Sequence, residues 1–181
     1  MRAAYRAGQF WRAITAVPDQ AGIELAQSIL PPALTALFLE MHPSEISHSL
    51  EIARGLLGSG EDDPDLLAAA LLHDVGKSHS PIRPWERAGV VVTKRLLPDA
   101  CRRWGASGDL HGWKRIFVVA EQHPLWGAEM AAEAGASLLA VELIRRHQEP
   151  CQPVSRENVD LGVRTREDYL LYQLQLLDEE S

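Results

Sequence analysis

The stretch Leu66-Leu67-Ala68-Ala69-Ala70-Leu71-Leu72 carries no polar side chain, and His73-Asp74-Val75-Gly76-Lys77 follows it directly. A histidine and a carboxylate placed at the end of such a run are drawn toward the interior of the protein. Buried carboxylates have partners, because taking their charge out of water is costly. The partner is a cation, a hydrogen-bond network or a metal ion, and the rest of the sequence favours the metal ion.

Size and charge limit the class of protein. The chain has 181 residues, which is enough for one domain, or for one domain with a small extension. It carries 18 Lys and Arg against 25 Asp and Glu, a net charge of −7. This acidic balance argues against a protein that binds nucleic-acid duplexes, but it leaves room for a small anionic substrate in a local basic pocket.

Cellular location is predicted from what the sequence lacks. No apolar run approaches the ~20 residues that span a bilayer, and residues 1–6 lack the apolar core of a signal peptide. We therefore expect a cytoplasmic protein without a transmembrane segment. Cys101 and Cys151 fit no zinc-binding pattern, and two reduced thiols are favoured over one disulfide.

Apolar residues recur at helical spacing along most of the chain, with Pro and Gly between the segments, so we predict an all-α protein. The predicted helices lie near residues 3–15, 20–29, 32–41, 44–57, 64–76, 84–96, 110–122, 125–134, 138–148 and 166–178. Pro124 is expected to turn His123 out of helical geometry and so to divide two helices. Residues 98–113 are interpreted as a polar lid or surface elaboration, and residues 149–164 as a loop.

Several helix boundaries have local signals. Ser44 is the expected N-cap of the helix near residues 44–57, and Asp63 with Pro64 favours the start of the next helix. Ser137 is a further candidate cap, and Thr165-Arg166-Glu167-Asp168 is similar to a capping box. These signals place the long apolar segments on helices.

The predicted domain covers residues 44–181, and residues 1–43 form a helical extension packed on it. Within the extension, residues 3–15 combine arginines with aromatic residues. We favour an arrangement in which the aromatic rings pack on the domain and the arginines stay in water. The alternative is a contact with a membrane or a partner protein.

Histidine and aspartate, residue types that can bind metals, lie at the ends of several apolar helix faces. His73, His123 and His147 each close a stripe with i, i+3, i+4, i+7 spacing, and Asp178 lies on the same kind of face. His48 shares a row with apolar residues of its own helix. Considered by itself, each of these candidate ligands has a simpler explanation, as a hydrogen-bonded core histidine, a cation at a helix end or part of an acidic tail. Together with Asp74 they form the mixed imidazole and carboxylate set that divalent transition metals use.

This ordered set resembles the HD-domain superfamily of metal-dependent phosphohydrolases. The residues His73-Asp74-Val75-Gly76-Lys77 and His123-Pro124-Leu125-Trp126-Gly127-Ala128-Glu129 are similar to motifs of its HDIG-type subgroup. Ile144-Arg145-Arg146-His147-Gln148-Glu149 and Leu176-Leu177-Asp178 correspond to the later ligand segments. The resemblance spans about residues 44–178 and implies an HD-domain-like bundle of about five core helices with a metal site between them.

The resemblance also implies the ligands of one or two ions. Two histidines and two aspartates would hold the first ion: His48, His73, Asp74 and Asp178. Asp74 would bridge to a second ion, which His123 and His147 would also hold. Mixed nitrogen and oxygen ligation allows Mn, Fe, Co, Ni or Zn.

Two departures from the subgroup's pattern bear on the second ion and the substrate. Gln148 stands where members with two metals often have a second histidine, so one ligand of the second ion is missing. No Gly-Tyr-Pro follows His147, which argues against the cyclic-di-GMP phosphodiesterases that carry that signature.

The resemblance implies hydrolysis of a phosphomonoester or phosphodiester, with a nucleotide or dinucleotide as the expected substrate. Metal ions activate water for such reactions and bind phosphoryl oxygens. Asp74 would fix the metal positions, and Lys77 would neutralise charge on the phosphate, although a solvated lysine is an equal alternative. Arg145 and Arg146 are candidate phosphate ligands, with surface charge at a helix end as their alternative.

Two other functions stay open at this point. A non-catalytic HD-domain regulator or nucleotide sensor would keep the metal pocket without turnover, and the missing second-site ligand favours it. A purely structural metal is the weakest candidate, because such sites are often closed by thiolates and neither cysteine belongs to the ligand series.

Overall fold

The computed structural model describes residues 17–106, 108–160, 162 and 164–180. These residues form ten α-helices, one short 3₁₀ helix and no β-strand, which confirms the all-α prediction. The α-helices are α1 (Gln20–Ile29), α2 (Pro32–Leu39), α3 (Pro43–Gly58), α4 (Pro64–Leu72), α5 (Pro84–Leu96), α6 (Pro98–Gly105), α7 (Arg115–Glu133), α8 (Leu138–Arg146), α9 (Arg156–Asp160) and α10 (Arg166–Glu180). The 3₁₀ helix is Val75–His79. The predicted helix over 3–15 lies outside the described residues.

Side-chain caps begin several helices as the sequence predicts. The carboxylate of Asp63 accepts hydrogen bonds from the first backbone amides of α4, and Ser137 Oγ accepts one from Ala140 N at 3.0 Å in α8. Thr165 and Asp168 form a reciprocal capping box at α10. The cap of α3 was predicted wrongly: His42, rather than Ser44, precedes the helix and accepts from its backbone.

The predicted break at Pro124 is wrong, because α7 runs through this residue without interruption. Proline inside a helix removes one backbone hydrogen bond and costs about 3 kcal/mol. Both halves of α7 bury apolar side chains, with Val119 before the proline and Ala128 and Ala131 after it. Burial on both sides keeps the helix continuous and fixes His123 within it.

The polar segments are also more ordered than predicted. Helix α6 lies within residues 98–113, and the short helix α9 lies within residues 149–164. Helix α4 ends at Leu72 rather than near Gly76, and the chain then tightens into the 3₁₀ helix. This change of geometry directly after α4 determines where His73 and Asp74 lie.

One main core joins the first four helices to α7, α8 and α10. Phe38 of α2, Leu66 and Leu71 of α4, Ile144 of α8 and Leu174 of α10 are all buried in it. Helices α1 and α2 therefore share a core with the helices that follow, while the division of the chain at residue 43 stays a prediction.

A second, smaller core lies between α5, α6 and the start of α7. It is built from Val90, Cys101 and Phe117, with Trp104 packed against them.

None of the described helices combines the length and the apolar character needed to cross a bilayer.

Candidate metal centre

The structure brings all six predicted ligand residues together between α3, α4, α7, α8 and α10. These residues are His48, His73, Asp74, His123, His147 and Asp178. Four of them are almost fully buried, whereas the side chains of His48 and Asp178 are 26% and 29% exposed. The cluster is therefore closed on the core side and reaches solvent between α3 and α10.

Hydrogen bonds to the backbone determine which nitrogen of each buried histidine faces the cluster. In each ring, Nδ1 lies against a carbonyl oxygen of its own helix: His73 with Ala70 at 2.9 Å, His123 with Val119 at 3.0 Å and His147 with Ile144 at 2.8 Å. A carbonyl oxygen can only accept, so each Nδ1 carries the proton in the neutral ring. Each Nε2 is then left with a lone pair, which is the state that binds a metal.

The first group of ligand atoms centres on His73. Its Nε2 lies 3.5 Å from Asp74 Oδ2 and 3.6 Å from Asp178 Oδ1, and Asp178 Oδ1 lies 2.9 Å from His48 Nε2. Within the described residues, His73 Nε2 is buried without a hydrogen-bond partner. One ligand atom each from His48, His73 and Asp74 lies within 4.8 Å of the others, so this group could hold a metal ion.

The second group centres on the other oxygen of Asp74. Oδ1 lies 3.3 Å from His123 Nε2 and 4.0 Å from His147 Nε2, and the two imidazole nitrogens are 3.3 Å apart. These three atoms could also hold a metal ion. Asp74 thus presents one carboxylate oxygen to each group, which is the arrangement expected of a bridging ligand.

Lys77 supplies positive charge beside this bridge. Its Nζ lies 2.5 Å from Asp74 Oδ2 and 3.5 Å from Glu45 Oε2. Burial alone raises the pKa of Asp74, but the charges of Lys77 and His73 outweigh it and hold that pKa well below its ordinary value. Asp74 is therefore ionised in the physiological range.

The buried histidines differ in their affinity for protons. Burial alone lowers the pKa of His73, but the charges of Asp74 and Asp178 outweigh it and raise that pKa to about 9. Burial lowers the pKa of His147 to about 3, and it also lowers the pKa of His123. At neutral pH the second group is therefore ready to bind a cation, whereas His73 must first lose a proton.

A close backbone contact positions Asp74 against α7. A Cβ atom on Gly76 would lie 2.0 Å from the carbonyl oxygen of His123 and 2.6 Å from the amide nitrogen of Gly127. No side chain fits there, so glycine allows the 3₁₀ helix to lie directly on α7. This contact explains why a glycine follows the His-Asp pair at this spacing.

The predicted phosphate ligands at the end of α8 have carboxylate neighbours. Arg146 Nε lies 2.9 Å from Glu149 Oε2, and its guanidinium also contacts Glu167 at the start of α10. Arg145 Nε lies 3.4 Å from Glu142 Oε2. Their role toward a substrate stays a prediction, as does that of Lys77.

Two residues near the centre were missed by the sequence analysis. Glu45 is buried on α3, three residues before His48, and contacts Lys77. Gln175 lies three residues before Asp178, and its amide donates to the carbonyls of His147 at 3.0 Å and Glu149 at 2.7 Å. The i, i+3 spacing to a predicted ligand was the available signal for both.

The donors present fit a divalent transition metal. Buried imidazoles of fixed tautomer and ionised carboxylates are borderline ligands of the kind that such metals prefer.

The model of the HD domain family matches residues 45–170, which is more than half of the chain. The chain therefore belongs to the HD domain family, whose members are generally metal-dependent phosphohydrolases that bind divalent metals. Neither the search of curated proteins nor that of solved structures returned a match.

Proposed function

We propose that this protein is a metal-dependent phosphohydrolase of the HDIG type that cleaves a phosphomonoester or phosphodiester, with a nucleotide or dinucleotide as substrate. The observation that carries the proposal is the convergence of three buried imidazole Nε2 atoms on the two oxygens of Asp74. Such a constellation has a high cost without a cation, which favours a site built to hold one.

The proposal assigns each ligand to a site. The first ion would be held by His48, His73, Asp74 and Asp178, and a second by Asp74, His123 and His147. A divalent ion held there would supply Lewis acidity toward a phosphoryl oxygen and toward a water molecule. The backbone hydrogen bonds at Nδ1 keep the rings from turning, so the ligand atoms need little rearrangement when the ion binds.

Lys77 has two roles in the proposal. Its ammonium holds the carboxylate of Asp74 in place, and the same charge stabilises negative charge that develops on the phosphoryl group. Arg145 and Arg146, beside His147 in sequence, are the further proposed phosphate contacts. The partially exposed edge at His48 and Asp178 is the proposed side of substrate entry.

One observation favours a second candidate, a non-catalytic nucleotide sensor or regulator that keeps the pocket. The amide nitrogen of Gln148 lies 3.5 Å from His123 Nε2, at the position where an additional imidazole would complete the second group. An amide donor at this point competes with a cation for the lone pair of His123. A centre with one ion would bind a phosphate without the second ion's contribution to turnover.

Metal analysis combined with a substrate screen separates these candidates. The full chain is analysed for bound metals, and nucleotides, dinucleotides and simple phosphoesters are then tested with added Mn, Fe, Co, Ni or Zn. We expect metal-dependent turnover that Asp74→Ala and His73→Ala abolish. The matched control is His111→Ala, because that side chain is 96% exposed and lies outside the cluster.

Two other experimental outcomes would decide against the phosphohydrolase. Stoichiometric metal with nucleotide binding but no turnover across the panel supports the sensor. A protein that takes up no divalent metal at any pH in its stable range contradicts both candidates.

A further inference from the structure

Charge is distributed unevenly along this chain. Residues 83–115 contain eight Lys and Arg against three Asp and Glu, a net charge of +5, although the whole chain carries −7. The remaining residues therefore carry −12. The basic segment includes α5 and α6, which pack with the start of α7 around the smaller core. A local positive field thus belongs to one structural unit of an otherwise acidic protein.

The same unit exposes large apolar side chains on one face of α5. Trp85, Val92 and Leu96 are 65%, 55% and 69% exposed, and with Gly89 they follow the i, i+4, i+7, i+11 spacing of a single stripe. Nothing lies within 4 Å of a Cβ atom built on Gly89. Leu97, directly after the helix, is also exposed. A contiguous exposed apolar stripe of this kind marks an interaction surface.

Cations accompany the exposed indole rings. The guanidinium of Arg83 lies 5.1 Å from the ring centre of Trp85, and Lys114 Nζ lies 5.8 Å from that of the exposed Trp113. Arg95 is exposed on α5 beside the stripe, whereas Lys94 lies on the opposite side of the helix. Indole rings with neighbouring cations suit a boundary where an apolar layer lies directly under a layer of negative charge.

We propose that this α5 surface, defined by Arg83, Trp85, Val92, Arg95, Leu96 and Leu97, binds the surface of a membrane that contains anionic lipids. The apolar stripe enters the boundary between headgroups and acyl chains, and the basic residues meet the lipid phosphates and carboxylates. The partner is the bilayer surface itself, because the binding face is a single helix stripe flanked by cations.

Two other occupants fit less well. A second copy docked face to face about a twofold axis would bring two basic surfaces together, and like charges oppose that contact. Single-stranded nucleic acid would use the positive charge and the indoles, but Val92, Leu96 and Leu97 offer no stacking surface for bases.

Vesicle cosedimentation of the full chain tests the proposal. The protein is mixed with phosphatidylcholine vesicles that contain phosphatidylserine and with vesicles of phosphatidylcholine alone, at low and high salt. We expect binding to the anionic vesicles that weakens as salt rises. Arg83→Glu with Arg95→Glu should reduce the partition coefficient by at least about tenfold, since each basic residue near an anionic surface contributes roughly fivefold. Val92→Ser with Leu96→Ser should reduce it comparably.

The matched controls are Leu138→Ser, which alters an exposed leucine of α8, and Arg164→Glu, which reverses a charge outside the basic segment. Both should bind like the wild type, and circular dichroism checks that every variant is folded. The proposal is overturned by the absence of binding to anionic vesicles, by equal binding to both kinds of vesicle, or by unchanged binding of both double variants. It is also overturned if Val92→Ser with Leu96→Ser instead dissociates an oligomer in the absence of lipid.

Discussion

The Nε2 atoms of His123 and His147 lie 3.3 Å apart, while the Nδ1 atom of each ring is hydrogen-bonded to a backbone carbonyl. Two neutral imidazoles held in this way direct lone pairs at each other, and Asp74 Oδ1 adds a third acceptor at 3.3 Å from His123. Three acceptors in a buried space repel one another unless a proton or a metal ion lies among them. Burial lowers the pKa of both histidines, so both rings stay neutral at physiological pH. A metal ion, rather than a proton, is therefore the expected occupant.

Replacing His147 should therefore weaken metal binding more than it disturbs the fold. Loss of a partner that hydrogen-bonds to a metal ligand weakens metal binding by roughly 10–100-fold. His147→Ala removes a proposed ligand itself, so we expect it to reduce the affinity of the second group for divalent metal by at least this factor. Titration with Mn or Co, followed by calorimetry, measures this change. Unaltered affinity and stoichiometry in His147→Ala would show that the second group holds no ion, and His111→Ala serves as the surface control.

Metal binding should release protons and become tighter as pH rises. In the metal-free protein the pKa of His73 is raised to about 9, so this ring is protonated at pH 7 and must lose its proton to bind. Affinity should therefore rise between pH 6.5 and 9, and calorimetry in buffers of different ionisation enthalpy should detect about one released proton. Affinity that is independent of pH across this range contradicts the assignment of His73 as a ligand.

The same shift predicts how the stability of the metal-free protein changes with pH. A raised folded-state pKa means that His73 stabilises the fold below its unfolded value of 6.5, and this contribution is lost as pH rises toward 9. The pKa of His147 is instead lowered to about 3, so its neutral burial becomes a cost as pH falls below 6.5. Melting temperatures measured after chelation should therefore be highest near neutral pH, whereas His73→Ala should lose the decline on the alkaline side.

Gly76→Ala should destabilise the protein, because it would push the 3₁₀ helix away from α7. Its methyl group would lie 2.0 Å from the His123 carbonyl oxygen, and backbone on both sides leaves no easy relaxation. We expect a loss of roughly 3 kcal/mol in the free energy of unfolding, at the upper end of overpacking effects. Urea denaturation measures it.

Gly89→Ala is the matched control for this comparison, because a Cβ atom there meets open space within an α-helix. It should raise stability by about 0.5–1 kcal/mol, since alanine restricts the unfolded chain more than glycine does. Equal effects of the two substitutions would contradict the close contact at Gly76.

A buried glutamate away from the centre ties α10 to the segment after α3. Glu61 accepts a hydrogen bond from the hydroxyl of Tyr169, and both of its carboxylate oxygens lie 3.0 Å from Arg156 Nη2. Tyr169→Phe should cost about 1–2 kcal/mol in unfolding free energy, because a charged acceptor loses a donor. Tyr172→Phe is the control on the same helix, and urea denaturation of the two variants should differ clearly.

Lys77→Met tests whether the lysine acts on the substrate or on Asp74. If its charge stabilises the phosphoryl group, kcat should fall by roughly 10²–10³ with metal content unchanged. Elemental analysis and steady-state kinetics on the same preparation measure both quantities. Loss of the metal along with turnover would show instead that Lys77 acts by holding Asp74, as its 2.5 Å contact with that carboxylate permits.

Local sequence signals predicted much of the helical framework. Asp63, Ser137 and the Thr165–Asp168 capping box act within one helical turn, so their positions can be interpreted without knowledge of the fold. The apolar run from Leu66 to Leu72 likewise identified a buried helix with a polar pair at its end. The sequence therefore specified the all-α class and the position of His73 and Asp74, because both depend on neighbours a few residues away.

Tertiary packing decided the rest. Pro124 signals a helix break locally, yet burial of the residues on both sides of it keeps α7 continuous. Glu45 and Gln175 acquire their contacts with Lys77 and with the end of α8 through helices that lie far apart in the chain. The distances among the ligand atoms have the same origin, since they depend on how closely separate helices approach. A contact such as Gly76 on α7 determines that approach through the shape of both surfaces, which no periodicity in the sequence encodes.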